Sequence, residues 1–292
     1  MNDGFLKRSA LATFLLVFVS SAPLAGVDVR IGGGAFGASL PDLSAYLRDA
    51  TRFKFDSLRT AGYVVHSSLE EVGGGREFSL STAFPIARNL ALEIGGGYQK
   101  ISQRGNTMSL ESSFSFFDDK RDLSLASIPV FLGLDYGLPV GPVASVHVFA
   151  SGGLVFSTFS ESGEEILTLK SGAKGYANTW TADTSATGYG LQAGLGLEVN
   201  VGGPLALTVR GGFRYAKVAG FTGKSTTAFN ASSYQDENLR LYYYEFYANY
   251  PEESYAAISL PNAESGSRLR VFRDADLGLS GFFIGAGLRL SL

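Results

Sequence analysis

His66 and His147 are the only imidazoles in this 292-residue chain, and cysteine is absent. Thiolate nucleophiles, disulfides and cysteine metal sites are thereby excluded together. A histidine that activates a nucleophile needs a serine on one ring nitrogen and an orienting carboxylate on the other. No such trio is visible in the local sequence around His66, in a long connecting segment, or around His147, on a strand-like stretch. The expected role of His147 is an interior hydrogen-bonding group. The acidic runs "SLEEVGGG" and "FFDDKRD" lack calcium-loop spacing and read as solvated loop charge. "GGGAFG", Gly32–Gly37, fits G-x-G-x-x-G, but that fingerprint requires a helix next within a βαβ unit; here Pro41 follows and the remaining pattern is strands. No catalytic residue, cofactor or metal is expected.

The other residues with chemistry to offer are charges at regular places. Asp28, Arg30, Glu93, Asp135, His147, Glu198, Arg210, Arg214 and Arg289 all lie on the small-and-polar side of alternating segments. "TGYGLQAGLGLEVNV" is the cleanest: Tyr189, Leu191, Ala193, Leu195, Leu197 and Val199 fall on one face, against Gly190, Gln192, Gly194, Gly196, Glu198 and Asn200. "VDVRIGGGAFG", "REFSLSTAF", "NLALEIGGGYQ", "SIPVFLGLDYGL", "ASVHVFASGGLVF", "LALTVRGGFRY" and the closing "GFFIGAGLRLSL" repeat the design, giving eight period-two strands.

Their connections alternate. "PIAR", "PVGP" and "GGP" are tight turns, whereas roughly Ala38–Gly75, Lys100–Leu123, Thr158–Ala186 and Ala216–Ala275 are long. Lipid cannot hydrogen-bond backbone amides, so spanning strands must pair and close into a ring. Outward-reading aromatics (Tyr98, Phe156, Tyr189, Phe213, Tyr215, Phe282) fall at loop ends, and Phe84 and Tyr136 at turn ends, as two interfacial girdles. The predicted fold is all-β: an eight-stranded antiparallel up-and-down transmembrane β-barrel with long extracellular loops and short periplasmic turns, its last strand pairing with its first.

Residues 1–26 carry Lys7 and Arg8, an apolar run from Ala10 to Val19 and small residues to Gly26, the order of a secretory signal peptide. Residues 27–292 are the expected barrel. A net charge of −3 predicts no nucleic-acid partner. Inside the barrel Asp28, Arg30, Glu93, Asp135, His147, Glu198, Arg210 and Arg289 are expected to pair as a network that plugs and stiffens it, since an unpaired buried charge is costly. In the fourth long segment Tyr242, Tyr243, Tyr244, Phe246, Tyr247 and Tyr250 form an aromatic run. It reads either as an exposed stacking surface or as a projecting hairpin, even a ninth and tenth strand.

With these patterns, and "LASIPVFLGLDYGL" above all, the chain resembles the OmpA- and OmpW-like eight-stranded outer-membrane barrels over Val27 to Leu292. The resemblance implies an outer-membrane location, with membrane lipid (lipopolysaccharide) and the outer-membrane assembly machinery as partners. It also implies a non-enzymatic surface protein: envelope structure, adhesion or ligand contact through the long extracellular loops. The alternative it implies is a narrow porin-like channel for small or apolar solutes, with a lipid-modifying enzyme a distant third.

Overall fold

The structure is a computed structural model and describes residues 26–48, 64–68, 74–230, 232–247, 254–259 and 269–292. Residues 1–25 of the expected signal peptide and Tyr250 lie outside them. In chain order the elements are β1 (Asp28–Gly37), helix α1 over residues 41–48, β2 (Val64–Ser68), β3 (Gly74–Ala87), β4 (Leu90–Glu111), β5 (Ser115–Pro139), β6 (Ala144–Leu169) and β7 (Lys174–Gly202). There follow β8 (Leu205–Lys217), β9 (Thr222–Phe229), β10 (Ser232–Arg240), β11 (Tyr242–Tyr247), β12 (Ser254–Ser259), β13 (Leu269–Asp274) and β14 (Gly281–Ser291).

Eight strands close a ring in the order β1-β3-β4-β5-β6-β7-β8-β14, all neighbours antiparallel. These are the eight period-two stretches of the sequence. The seam joins β1 to β14 from Asp28↔Ser291 to Phe36↔Phe283, and Leu292 bonds Gly26 and Val27 beyond it. The turn after β7 uses Gly202 (φ +132°) and Gly203 (φ +56°), where a side chain would be strained, followed by Pro204.

Around the ring most outward apolar residues are exposed and the rest are half-buried. Ile31, Leu132, Leu134, Val148, Leu154, Leu191, Leu195, Leu207, Val209, Ile284 and Leu288 are all exposed. Phe78, Tyr98, Phe156, Tyr189, Phe213, Tyr215 and Phe282 stand at the loop side of this belt and Tyr136 at the turn side. Phe213 and Phe282 meet edge to face at 5.3 Å. Such a belt in water would cost on the order of tens of kcal/mol; hydrocarbon removes that cost.

Two expectations about the loops are corrected. The stretches 100–123 and 158–186 are mostly strand: β4, β5, β6 and β7 run far past the belt and end in tight turns at 112–114 and 170–173. Above the belt the alternation inverts. On β5, Ile128 and Val130 face outward with the apolar belt, but Leu123 and Leu125 are buried inside while Lys120 and Asp122 are exposed. Water now lies outside and the core within, so the apolar row must change sides. Among the described residues the fourth segment adds no strand to the ring. β9 pairs with the upper half of β7, β10 pairs with β9, and β11, β12 and β13 form a separate small sheet.

The sequence reading also missed α1. Pro41 occupies its first turn, where its missing N–H costs nothing, and Ser44 N–H donates to Leu40 O at 2.8 Å. Leu40, Leu43 and Leu47 are buried in a cluster with Phe36, Ile101, Leu125, Phe149, Val155, Phe159, Val218, Phe221, Leu277 and Phe283, which come from all round the wall. The helix therefore fills the upper mouth of the barrel.

Candidate functional site

From the turn end upward the interior has three levels. At the lowest, alternation points short acids and arginines of neighbouring strands into a lumen too narrow for water to solvate each separately. Arg30 Nη1 donates to Glu93 at 3.1 Å and also to Asp135. Arg210 donates to both oxygens of Glu93 at 2.8 Å and to Asp135 at 2.6 Å. Ser81 caps Glu93 at 2.6 Å. His147 Nδ1 lies 2.9 Å from Asp135 Oδ1, and its Nε2 lies 3.7 Å from Glu198. Arg289 pairs with Glu198 at 2.8 Å and with Asp28 at 3.5 Å. Asp28, Arg30, Glu93, Asp135, His147, Glu198, Arg210 and Arg289 thus form one unbroken chain of contacts.

Arg214, one level higher, is outside that chain. It donates to Glu77 at 3.0 Å and to Gln192 at 3.1 and 3.2 Å, and its guanidinium lies 4.7 Å over the Phe283 ring. Glu77, Gln99 and Gln192 were not singled out from the sequence; their inward parity on β3, β4 and β7 was the available signal. Arg210 lies 4.6 Å over Phe149. Gly194 permits this packing, since a Cβ there would come within 2.8 Å of the Phe149 ring and 2.2 Å of Gly211 O.

Between the two arginine levels lies a cavity of about 110 Å³, lined by Arg30, Glu93 and Arg210 from below, Glu77, Gln99 and Arg214 from above, and Phe131, Phe149 and Phe283. Arg30 Nε and Ser151 Oγ, both on its wall, have no protein hydrogen-bond partner and are open to water or a small polar guest.

The third level holds α1 in place. Arg121 donates to Asp119 at 3.2 Å through two nitrogens and to the Tyr46 hydroxyl at 2.5 Å. Tyr46 O–H in turn donates to Glu161 at 3.2 Å. The Arg121 guanidinium lies between the rings of Trp180 (5.3 Å) and Tyr46 (5.8 Å). Burial, then the Glu161 charge, push the Tyr46 phenol above its usual range; Arg121 acts in the opposite direction.

One arrangement differs from the sequence reading. Ser145 Oγ lies 2.9 Å from His147 Nε2, so Ser145, His147 and Asp135 form a relay of nucleophile, base and carboxylate type. Ser145 sits two residues from His147 on one strand face, while Asp135 arrives across the hairpin, which local sequence hides. Acyl transfer also needs free donors for the oxyanion. Ser145 lies within the ladders at Pro139 and Glu198, where backbone N–H groups are committed to the sheet. Asp135 is moreover held by Arg30 and Arg210, which restrains it as a partner for an imidazolium.

Of the aromatic run, Tyr243 is buried (8% exposed) beneath Arg273, 4.4 Å from its ring, and belongs to the core rather than to a surface. Tyr242 is half-buried, under Arg240 at 5.2 Å. The backbones of Tyr244, Phe246 and Tyr247 pair with β12 and β13. His66 pairs through its backbone with Ser109 of β4.

An antiparallel ring of eight strands, apolar outside and ion-paired within, is a transmembrane β-barrel. No family model matches the chain, and no curated protein does. Among solved structures it is similar to the outer membrane protein OprG from Pseudomonas aeruginosa, at 13% identity over 92% of this chain and 97% of that one, TM-score 0.36. It is similar to Ail, the attachment invasion locus protein of Yersinia pestis, at 10% identity over 91% and 99%, TM-score 0.29. It is also similar to the outer membrane protease OmpT from Escherichia coli, at 9% identity over 93% and 98%, TM-score 0.34. The class rests on the ring and its belt.

Proposed function

We propose that the protein is a non-enzymatic outer-membrane barrel that makes contacts at the cell surface through the wall standing above its belt. On this reading residues 1–26 direct export and are removed, and the assembly machinery inserts the barrel. The supporting observation is the crest of that wall. Phe114 (70% exposed), Phe116, Leu169 and Phe229 stand uncovered at three hairpin tips. These tips are tied together: Lys170 N–H donates to Phe114 O at 2.8 Å, Lys170 Nζ lies 5.2 Å from the Phe116 ring, and Tyr176 stacks on Phe229 at 5.7 Å. Apolar groups held rigidly in water, remote from lipid, suit a docking surface. The crest takes the role first considered for Tyr242–Tyr250. Cells displaying a triple variant, Phe114→Ser, Phe116→Ser and Phe229→Ser, should lose adherence to a cell monolayer while the barrel remains heat-modifiable on gels; full adherence would overturn the reading.

A second reading, a narrow channel for small solutes, is supported by the cavity between the two arginine levels. It requires α1 to leave the mouth. Single-channel recording in planar bilayers separates the two: silence supports the plugged surface protein, and reproducible steps support the channel.

A further inference from the structure

The outer face of the barrel carries a feature that neither the crest nor the lumen uses. Arg76 on β3 and Lys100 on β4 are direct cross-strand partners, and both side chains point outward and are exposed. Their chain neighbours Glu77, Gln99 and Ile101 point inward, which fixes that orientation. Like charges directly opposite each other on a sheet are unfavourable. Elsewhere the exposed cations Lys170, Lys224, Arg240 and Arg273 each have a carboxylate partner, while Arg88, Lys120, Lys174 and Lys217 have none among the described residues but are not set opposite another cation. Among the described residues Arg76 and Lys100 have none either.

Their height is as telling as their charge. One step down the same two strands, Phe78 and Tyr98 are also direct partners, both exposed, in the aromatic girdle at the loop side of the belt. The charges therefore sit where lipid headgroups begin. Beside them the belt thins. Ala35 is opposite Arg76, Gly33 is opposite Phe78, and Ala286 is opposite Gly33; all three face outward and are exposed. A shallow trough of small residues thus descends into the apolar belt next to the basic pair, with Ile284 and Leu288 on its far side.

We propose that Arg76 and Lys100 clamp the phosphorylated headgroup of an outer-leaflet lipid, one of whose acyl chains lies in the Gly33–Ala35–Ala286 trough. A phosphate between the two cations turns repulsion into two charge-assisted contacts. The trough selects lipid over free phosphate, because only a lipid places hydrocarbon beside the anion. The proposal rests on the membrane reading given above.

The test is native mass spectrometry of the folded protein released from detergent micelles, titrated with bis-phosphorylated lipid A, its dephosphorylated form, or inorganic phosphate. Wild type should retain the phosphorylated lipid at least tenfold more tightly than the Arg76→Ala/Lys100→Ala variant, and more tightly than it retains the dephosphorylated lipid. Lys100→Glu, which gives Arg76 an internal carboxylate, should lose retention to the same degree while keeping wild-type heat-modifiable migration. Lys217→Ala, elsewhere on the same rim, should retain lipid as wild type does. Equal retention by wild type and the double variant, indifference to the phosphates, or displacement by inorganic phosphate alone would overturn the clamp. A wild-type protein with no heat-modifiable form would instead overturn the membrane reading.

Discussion

Arg273 grips Asp42 end-on: each of its two terminal nitrogens donates to a different carboxylate oxygen at 2.6 Å, and Asp42 also accepts the Asp276 N–H at 2.8 Å. This bidentate contact ties the first turn of α1 to the strand leading back into the barrel. The partners are unequal, since Asp42 is buried and Arg273 is 47% exposed. Removing the arginine strands a carboxylate away from water, whereas removing the carboxylate lets the arginine hydrate. Arg273→Gln should therefore destabilise the helix by about 2 kcal/mol, more than Asp42→Asn, which should cost about 1 kcal/mol. Urea titration followed by proteolysis within residues 41–48 reads this ordering; the reverse order would mean that the contact does not hold the helix.

The apolar side of α1 gives a functional counterpart. Leu43 and Leu47 are buried against the wall. Asp at both positions would place two carboxylates in that core at a cost of several kcal/mol, enough to expel the helix. The double variant should insert normally yet show conductance steps absent from wild type. A variant as silent as wild type would show that the two arginine levels alone close the lumen.

In the lowest level Asp135 contacts Arg30, Arg210 and His147 and is 1% exposed. Asp135→Asn leaves two arginines short of charge and should cost about 3–5 kcal/mol. Glu93→Gln keeps Asp135 between the same arginines and should cost less. The temperature at which boiled-type migration appears on gels gives the comparison. Ser145→Ala and His147→Ala should leave wild type and variants equally inactive toward phospholipids and p-nitrophenyl esters; ester turnover lost with either substitution would make the barrel an enzyme.

How much of this was legible in the sequence depends on what lay outside each strand. Lipid beside Leu191, Leu195 and Leu197 imposes a clean period of two, so the ring could be read residue by residue. On β5 the apolar residues Leu123 and Leu125 have the opposite parity to Ile128 and Val130, because the environment changes between them. The phase break reads as a loop, and the tall wall was hidden by it. α1 spans only eight residues, with Pro41 as its one strong signal. The interior charges were legible because parity alone sends them inward. The Ser145–His147–Asp135 relay was not, because the hairpin register that supplies Asp135 is a tertiary fact.

Trp180, the sole tryptophan, reports on the uppermost cluster. The folded Tyr46 phenol holds its proton more tightly than the usual 10.0. Its contribution is thus fully present below about pH 10 and is lost as pH rises through the higher folded value. At neutral pH Tyr46→Phe should cost about 1 kcal/mol through the hydrogen bonds with Arg121 and Glu161. Above pH 10 that gap should shrink, because phenylalanine does not titrate. Unfolding midpoints from Trp180 emission test it, and a gap that widens with pH would refute the assignment.

Gly163 lies opposite Trp180, and a Cβ on it would stand 2.1 Å from the indole ring. Gly163→Val should push the ring off Arg121, red-shift its emission and cost about 1–3 kcal/mol. Unchanged emission would mean that the ring does not rest on the glycine.

The length of β6 has a mechanical consequence. From Phe156 at the belt's edge to Leu169 at the tip, the strand runs on the order of 40 Å at about 3.4 Å per residue, or roughly 30 Å of elevation once a tilt of about 40° is allowed for. Because neighbouring strands climb with it, β5 in unbroken register and β7 with one shift near the tip at Leu167/Thr168, it stands as a braced mast rather than a tether. Whatever touches Phe114 or Phe229 meets a fixed platform clear of the headgroups below, and force applied there passes straight down the ladders into the bilayer.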